Sequence, residues 1–298
     1  MSLKAIMALS TMILFALTIL SIWFVSPQEH FRPENTHWNG LTNLQEKYQL
    51  EPLKKDFRLS RITGNSLIIS IPYREPEAQE VSELKEYLEE GGNLIIADDH
   101  GFGNPILSGL GVKARFHGNR IVDPLFNHGE KGFLVVNDIR PSPLTVNVSS
   151  LKLNYATSLD IDDGIVAANS SSFSFIDSNL NGIKDEGEET GPFPVVAHIG
   201  VGDGKLILVS DPSILINGMM EKADNSEFLS NLFGIAGTDA TIYLKMDHLP
   251  KSLLIEGKEF LARTLTSASE TSRIMVITVI IILISLYPIW KKEGFLVD

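Results

Sequence analysis

Twelve residues, from Asp177 to Glu188, carry oxygen-bearing groups at the spacing that a calcium ion requires. Calcium takes six to eight oxygen ligands, which a twelve-residue loop supplies from positions 1, 3, 5, 7, 9 and 12. Gly182 stands at position 6, where the chain must turn sharply. The alternative interpretation is a solvated acidic turn. The spacing predicts a structural calcium site whose ligands are Asp177, Asn179, Asn181, the carbonyl of Ile183, Asp185 and Glu188.

The segments on either side of this loop indicate its role. A strand-like stretch precedes it and a proline-rich stretch follows it, so a helix-loop-helix sensor is not expected. With only three charged ligands, the predicted affinity is weak and the predicted role is to fasten β-structure.

A second group of polar residues follows two apolar strands. Asp98, Asp99 and His100 come after one strand, and Asp211 and Ser213 come after another. Ligands bind beyond the carboxyl ends of parallel strands, so these residues are candidates for a binding site or for a metal-assisted hydrolase. Asp211 can equally cap a helix, with proline at the first helical position. We predict ligand binding by Asp98, Asp99, His100, Asp211, Ser213 and Asn217, and we assign no catalytic residue.

Hydrophobic patterning places these residues in an α/β domain. A strand at 66–71, an amphipathic helix at 76–90 and a strand at 93–97 form a βαβ unit, which implies a parallel sheet. Residues 118–174 alternate over short stretches and predict antiparallel β-structure. The remaining predictions are helices at 41–49, 104–110, 226–233 and 251–263, and strands at 194–199 and 205–209.

Uncharged apolar segments at 5–25 and 274–290 lie near the two ends of the chain. Each is long enough to cross a bilayer core of about 30 Å. The alternatives are a cleaved signal peptide for the first and a buried helix for the second. Lys4, Lys291 and Lys292 favour the cytoplasmic side. We therefore predict a two-pass cell-membrane protein with both termini in the cytoplasm, the main domain outside and the lipid bilayer as a partner through two helices.

This topology gives the predicted domain plan. Its parts are a cytoplasmic N-terminus at 1–4, a transmembrane helix at 5–25, a linker at 26–40, an extracytoplasmic α/β domain at 41–246, a juxtamembrane segment at 247–273, a transmembrane helix at 274–290 and a cytoplasmic tail at 291–298.

Composition narrows the classes of function. The net charge of −12 argues against nucleic acid as a partner. The chain has no cysteine, which excludes disulfides, thiolate metal sites and cysteine nucleophiles. A domain of this kind depends on its apolar core, assisted by bound calcium.

The strand-end motifs carry a resemblance. The stretches Glu-Gly-Gly-Asn-Leu-Ile-Ile-Ala-Asp-Asp-His-Gly and Gly-Asp-Gly-Lys-Leu-Ile-Leu-Val-Ser-Asp-Pro-Ser resemble a family of uncharacterised prokaryotic, in particular archaeal, membrane proteins. Their outer domain is similar to class I glutamine amidotransferases and to auxiliary domains of gliding-motility ABC transporters. The resemblance implies a flavodoxin-like, three-layer α/β sheet. With the alternating segment and the two apolar segments, the predicted fold is such a sheet with a β-rich insertion, flanked by one transmembrane helix at each end. Amidotransferase chemistry does not carry over, because that class uses a cysteine nucleophile.

Three functions follow as hypotheses. The first is a membrane-anchored, non-catalytic binding or scaffold domain that works with a membrane-complex partner protein. The second is a metal-assisted hydrolase that uses Asp98, Asp99, His100 and Asp211. The third is an auxiliary subunit of an ABC-type transport or secretion complex.

Overall fold

The computed structural model describes residues 3–53, 57–62 and 65–267. These residues divide into two compact units. One unit runs from Gln28 to Pro250, and the other draws on the chain up to Pro27 and from Lys251 onward. The second unit contains the helices α1 (Leu3–Phe24) and α6 (Leu253–Ser267).

The unit Gln28–Pro250 holds four α-helices and thirteen strands among its described residues. The helices are α2 (Thr42–Tyr48), α3 (Ala78–Glu89), α4 (Asn104–Leu110) and α5 (Asn225–Gly234). The strands are β1 (Glu51–Leu53), β2 (Ser66–Ser70), β3 (Asn93–Ala97), β4 (Ala114–Val122), β5 (Phe133–Val136), β6 (Asp138–Ile139), β7 (Leu151–Asn154), β8 (Thr157–Ile161), β9 (Ile165–Asn169), β10 (Phe175–Ile176), β11 (Pro194–Val201), β12 (Gly204–Val209) and β13 (Thr241–Lys245). Short 3₁₀ helices lie at Leu59–Arg61, Pro143–Thr145 and Pro212–Leu215.

The main sheet has eight strands in the order β1-β13-β2-β3-β12-β11-β9-β6. The first five strands in this order are parallel, and the last three are added antiparallel. The predicted βαβ unit is confirmed, since β2, α3 and β3 follow one another and β2 pairs with β3 in parallel. The segment between β3 and β11 forms smaller antiparallel sheets, β10-β4-β8 and β5-β7, as its alternating pattern indicated.

Both faces of the central strands are buried, as near-continuous apolar runs in parallel strands require. On one face Ile69, Ile95 and Ile207 pack with residues of α2 and α5. On the other face Ile68 and Leu94 pack with residues of α3 and α4. The carboxyl ends of β2, β3, β12 and β13 meet at one edge of this layer.

The predicted linker at 26–40 is wrong for most of its length. Residues from Gln28 onward belong to the compact unit, and Phe31, Arg32 and Asn35 are buried. The Asn35 side chain donates to the carbonyl of Glu29 and to Asn39 Oδ1. The polar, proline-containing composition of this segment predicts a linker. Composition alone does not reveal that its polar groups find hydrogen-bond partners within the fold. At the other end, 247–250, predicted as juxtamembrane, also belong to this unit.

The predicted membrane topology is also wrong. The segment 5–25 does form a helix, α1, but among the described residues no helix is both long and apolar enough to span a membrane. The segment 274–290 lies outside the described residues. An apolar run predicts a helix, but it does not by itself decide between a membrane span and another apolar helix. The bilayer as a partner and the two-pass localisation rested on these spans, so both are withdrawn.

The predicted fold class is corrected accordingly. The flavodoxin-like, glutamine-amidotransferase-like sheet flanked by transmembrane helices is replaced by a mixed α/β fold. Three antiparallel strands, β11, β9 and β6, extend the parallel part of the sheet on one side. Local patterning located the individual strands, but the order in which they pair depends on long-range contacts.

Candidate functional site

The chain leaves the carboxyl ends of β3 and β12 toward opposite faces of the sheet. After β3 it enters α4, which packs on the face with α3, and after β12 it enters α5, which packs on the other face. Because β3 and β12 are neighbours, their connections diverge, and such a divergence is where a crevice is expected in an open α/β sheet. This is the position at which open α/β sheets bind ligands. We call it the strand-end crevice, formed by Tyr73, Asp98, Asp99, His100 and Asp211.

Asp98 shapes the wall of this crevice. Its Oδ1 accepts hydrogen bonds from the backbone N–H groups of His100 and Gly101, at 2.8 and 2.9 Å, and its Oδ2 accepts one from Gly103 at 2.6 Å. Burial raises the pKa of Asp98, and these three bonds partly offset the effect. Because both oxygens are occupied by the turn that leads into α4, Asp98 is a positioning residue.

Asp99 and Asp211 bring two carboxyl groups from neighbouring strands into one electrostatic environment. Asp211 is fully buried, and burial, together with the negative charge of Asp99, raises its pKa to about 7. Burial also raises the pKa of Asp99, against the attraction of His100. The His100 Nε2 atom lies 3.4 Å from Asp99 Oδ1, while about half of the His100 side chain is exposed.

Asp211 has a structural role as well. Its Oδ1 accepts the N–H of Ser213 at 2.7 Å, which caps the 3₁₀ helix Pro212–Leu215, and its Oδ2 accepts the N–H of Asn154. The capping role that its position before Pro212 allowed is therefore observed. Ser213 contributes this backbone N–H, and a side-chain contact of Ser213 with a ligand stays a prediction.

Asn217 is occupied elsewhere. Its Oδ1 accepts the N–H of Asn43 at 2.9 Å, and its Nδ2 donates to the carbonyl oxygens of Asn35 and His37. These bonds fasten the segment around residues 35–43. Ligand binding by Asn217 stays a prediction that these contacts do not support.

Tyr73, which was not predicted from the sequence as a site residue, belongs to the strand-end crevice. Burial and the negative charges of Asp99, Asp211 and Asp98 raise the pKa of its hydroxyl far above the ordinary value. Its ring continues a row of aromatic rings, with centroid distances of 5.7 Å from Phe31 to Tyr73, 6.0 Å from Tyr73 to His100 and 6.1 Å from His100 to Phe102. Tyr73 follows β2, a parallel strand whose carboxyl end lies at the same edge of the sheet as those of β3 and β12. This position after a strand is the sequence feature from which Tyr73 could have been predicted.

Three buried polar atoms around these strand ends have no hydrogen-bond partner among the described residues: Ser70 Oγ at the end of β2, Asn154 Oδ1 next to Asp211, and Ser210 Oγ after β12. Buried polar groups are nearly always paired with protein or ordered water, so these three atoms mark positions for a water molecule or for a bound ligand. All three belong to residues at the carboxyl ends of strands.

The predicted calcium loop lies between β10 and β11 and is closed on itself. Asp177 Oδ1 accepts the N–H of Asn181 at 3.0 Å, and its Oδ2 accepts the N–H of Gly182 at 3.0 Å. Glu188 closes the other end, because its two oxygens accept the N–H groups of Ser178 and Asp185, at 2.8 and 3.0 Å. Gly182 has a φ of 69°, the left-handed conformation that glycine adopts most easily.

Two contacts bear on how the loop fits a cation. Arg120 Nε donates to Asp177 Oδ2 at 2.8 Å; desolvation raises the pKa of Asp177, but this bond and those from Gly182 and Asn181 lower it below the ordinary value. Asp185 Oδ2 accepts the side-chain amides of Asn179 and Asn181, at 2.6 and 2.8 Å. The residues fit calcium by type and spacing, but Arg120 already pairs with Asp177 and two amides already pair with Asp185, so a calcium ion would have to displace these contacts.

A third cluster was missed from the sequence. At the carboxyl end of β13, ion pairs join five side chains: Arg74, Glu80, Lys245, Asp247 and His248. Among the described residues, the one group of three acidic or histidine side chains with ligand atoms within 4.8 Å of one another is Glu80, Asp247 and His248. The strand-end residues Asp98, Asp99, His100 and Asp211 do not form such a group, which counts against the metal-assisted hydrolase. The loop carboxylates of Asp177, Asp185 and Glu188 do not form one either.

Fold and sites together describe a mixed α/β domain with a polar crevice at the carboxyl ends of its parallel strands. The chain belongs to the family described as a domain of unknown function, DUF4350, which matches residues 33–233. The expected membership of an uncharacterised family is confirmed to that extent. A comparison with curated protein sequences finds no match.

Among solved structures, the mmIFT52 N-terminal domain is similar to this chain, with a TM-score of 0.53 and 16% identity over 65% of this chain and 87% of that one. This likeness shows the fold alone. A β-galactosidase from Bacillus circulans sp. alkalophilus has a TM-score of 0.38 and 13% identity over 59% of this chain, and the chain spans 23% of its length. A putative ThuA-like protein from Bacteroides uniformis has a TM-score of 0.37 and 17% identity over 57% of this chain and 69% of that one.

Proposed function

We propose that the chain is a non-catalytic binding domain that holds a small, positively charged organic molecule in the strand-end crevice. One arrangement carries the proposal: Tyr73, Asp99 and Asp211 follow the carboxyl ends of three neighbouring parallel strands, β2, β3 and β12. Burial and the nearby negative charges raise the pKa of Tyr73 and of Asp211, in agreement with this proximity. Two acidic groups in a shielded crevice favour a cationic partner, because a bound cation offsets their repulsion.

The aromatic row supports the same ligand class. A cation positioned over an aromatic face is attracted by the ring, and charge-assisted hydrogen bonds to carboxylates are stronger than neutral ones. Phe102 and His100 are partly exposed, so the row is open to solvent at that end. An amine or guanidinium group of a small molecule matches this combination of rings and carboxylates.

Absence of turnover is part of the proposal. The sequence has no cysteine, the oxygens of Asp98 and Asp211 accept backbone N–H groups, and His100 is half exposed. General acid–base catalysis needs a group that is free to exchange its proton with the substrate. The contacts of Asp98 and Asp211 suit positioning better than proton transfer.

The proposal is tested by thermal unfolding of the full chain with a panel of amines and guanidinium compounds, and with uncharged polyols as comparison ligands. Cationic compounds are expected to raise the melting temperature, and Asp99→Asn is expected to remove this shift while exposed Asp163→Asn keeps it. Equal shifts in Asp99→Asn, a response to polyols alone, or no shift at all would contradict the cationic ligand. Chemical conversion of a bound compound, followed by NMR, would contradict the non-catalytic role.

We further propose that loop 177–188 binds calcium as a structural cofactor. The support is its ligand spacing and its closed conformation between β10 and β11. A wider relationship, to auxiliary subunits of gliding-motility ABC transporters of prokaryotes, archaea in particular, is proposed from the strand-end motifs. Copurification of the chain with an ABC-type complex is the test of that relationship.

A further inference from the structure

The cluster at the end of β13 borders a cleft of about 150 Å³, which four of its five residues line, while His248 is buried behind them. The cleft is bounded by the first turn of α3, the segment after β2 and the residues that follow β13. Its charged lining includes Arg74, Glu80, Lys245 and Asp247, and its apolar lining consists of Leu53, Phe57 and Leu59. We call it the charged cleft. It is distinct from the strand-end crevice and from the calcium loop.

The ligand-type atoms of the charged cleft are close together and well shielded. His248 Nε2 lies 2.9 Å from Glu80 Oε2 and 3.6 Å from Asp247 Oδ2, and the His248 side chain is fully buried. The side chain of Asp247 is 10% exposed.

Within the described residues, the second oxygen of each carboxylate contacts one charged group, the ammonium group of Lys245. Glu80 Oε1 and Asp247 Oδ1 are buried and have no hydrogen-bond partner within the part of the chain that the structure describes. Both face the same cation, since Lys245 Nζ lies 3.2 Å from Glu80 Oε1 and 3.5 Å from Asp247 Oδ1. Two buried carboxylate oxygens that share a single ammonium group form a position that a divalent cation can take over.

We propose that Glu80, Asp247 and His248 form a binding site for a divalent transition-metal ion of the zinc type, in which Lys245 is a resident cation that the metal displaces. Zinc accepts histidine nitrogen and carboxylate oxygen at about 2.0–2.2 Å, so neighbouring ligands of a tetrahedral site lie about 3.3–3.6 Å apart. The observed separations of 2.9 and 3.6 Å bracket this range. Calcium and magnesium prefer oxygen ligands throughout, so the nitrogen of His248 selects against them.

Charge determines how tightly this site binds. Lys245 and Arg74 already neutralise the two carboxylates, and Arg74 Nη2 contacts Asp247 Oδ2 at 3.1 Å. A dication added to this arrangement would be repelled by the ammonium group, so the metal enters as Lys245 leaves. The flexible four-carbon stem of lysine permits that movement, and the cleft provides the space. Removing the lysine charge is therefore expected to strengthen metal binding.

The test is titration of the full chain with zinc by calorimetry, in millimolar calcium so that the loop is not available to zinc, with cobalt absorption as a report of ligand geometry. Lys245→Met retains all three ligands and is expected to bind zinc about tenfold or more tightly than the unmodified chain. His248→Ala is expected to lose the site. His100→Ala, which removes another histidine beside a carboxylate, is expected to bind zinc as the unmodified chain does.

The variants also distinguish zinc binding in the charged cleft from zinc binding at the strand-end crevice or at scattered surface carboxylates. Unchanged or weaker zinc binding in Lys245→Met would overturn the proposal even if His248→Ala fails to fold. Zinc bound equally by His248→Ala, no zinc bound by any variant, or loss of binding in His100→Ala would also overturn it. A cobalt spectrum typical of six oxygen ligands, instead of tetrahedral coordination with nitrogen, would have the same meaning.

Discussion

At the scale of single residues, Asp211 links the folding of the chain to pH. Its pKa rises from 3.8 to about 7 in the folded state because its carboxyl group is buried and lies near Asp99. A raised folded-state pKa means that folding favours the protonated form. The stability that this group contributes is therefore complete below pH 3.8 and is lost as the pH rises toward 7.

The expected result concerns the free energy of unfolding. One pKa unit corresponds to about 1.4 kcal/mol, so ionisation of Asp211 destabilises the fold by on the order of 4 kcal/mol above pH 7. Urea unfolding of the chain and of Asp211→Asn between pH 5 and pH 8 measures the difference between them. The advantage of the unmodified chain is expected to shrink as the pH rises, and a constant difference would contradict the link between Asp211 and pH.

Residue patterns anticipated part of this site. The turn residues at 98–101 and the helix-capping position of Asp211 are local features, and the structure shows both. Tyr73 and the charged cleft were not anticipated, because their partners come from distant parts of the sequence. Glu80 lies 168 residues before His248, and only the parallel pairing of β2 with β13 brings these regions together.

At the scale of elements, α3 and α4 approach each other closely because α4 carries a glycine at the contact. A Cβ atom on Gly109 would lie 2.1 Å from Val81 Cγ1, whereas a Cβ atom on Gly234, at the end of α5, would have no described neighbour within 4 Å. The two helices therefore offer a matched pair of positions.

Gly109→Ala is expected to lower the free energy of unfolding by about 1–3 kcal/mol, because the added methyl group forces the two helices apart. Gly234→Ala is expected to change it by less than about 1 kcal/mol, in the stabilising direction, because alanine is the better helix former. Urea denaturation of both variants tests the pair. Equal effects would show that the close approach of α3 and α4 is not what requires glycine.

The loop 177–188 gives a second prediction at this scale. If calcium binds the folded chain and not the unfolded chain, chelation lowers the melting temperature. Glu188→Ala is then expected to remove the difference in melting temperature between calcium and chelator. Glu186→Ala, an exposed neighbour at a position that supplies no ligand, is expected to keep it. Identical melting of the unmodified chain with calcium and with chelator would exclude a structural cation here.

Elements were predicted well where one local pattern decides them. Apolar runs located β2, β3 and β12, and the amphipathic stretch at 76–90 located α3. The segment 28–40 was misread, because its stability comes from side-chain bonds such as that of Asn35 to Asn39, which composition does not reveal. Strand order and the antiparallel strands beyond β12 likewise depend on contacts between distant segments.

At the scale of the whole molecule, both buried apolar clusters of the described residues belong to one unit. Both buried clusters consist of residues between Phe31 and Leu249, on the two faces of the main sheet. The unit Gln28–Pro250 therefore contains its own core. The membrane topology inferred from hydropathy was the largest error at this scale, because it extended an argument about two short segments to the placement of the entire chain.

A fragment of residues 28–250 is expected to fold without the remaining sequence, with a single cooperative transition and a native near-ultraviolet circular dichroism signal. Its ligand and metal responses should match those of the full chain, since every residue invoked for the three sites lies within it. A fragment that binds hydrophobic dyes and unfolds gradually would show that the cores are incomplete without the other residues.

Arg32 has a consequence for how this unit can be rearranged. Its guanidinium donates to the carbonyl of Pro250, from Nε at 3.0 Å and from Nη2 at 2.7 Å, so the two ends of Gln28–Pro250 lie within reach of one side chain. Ends that lie side by side permit circular permutation and insertion into a host loop. The unit can be opened at the exposed bend between Asp163 and Gly164, with its original ends joined by a short peptide. We expect this circular permutant to keep the order of the eight strands in the main sheet.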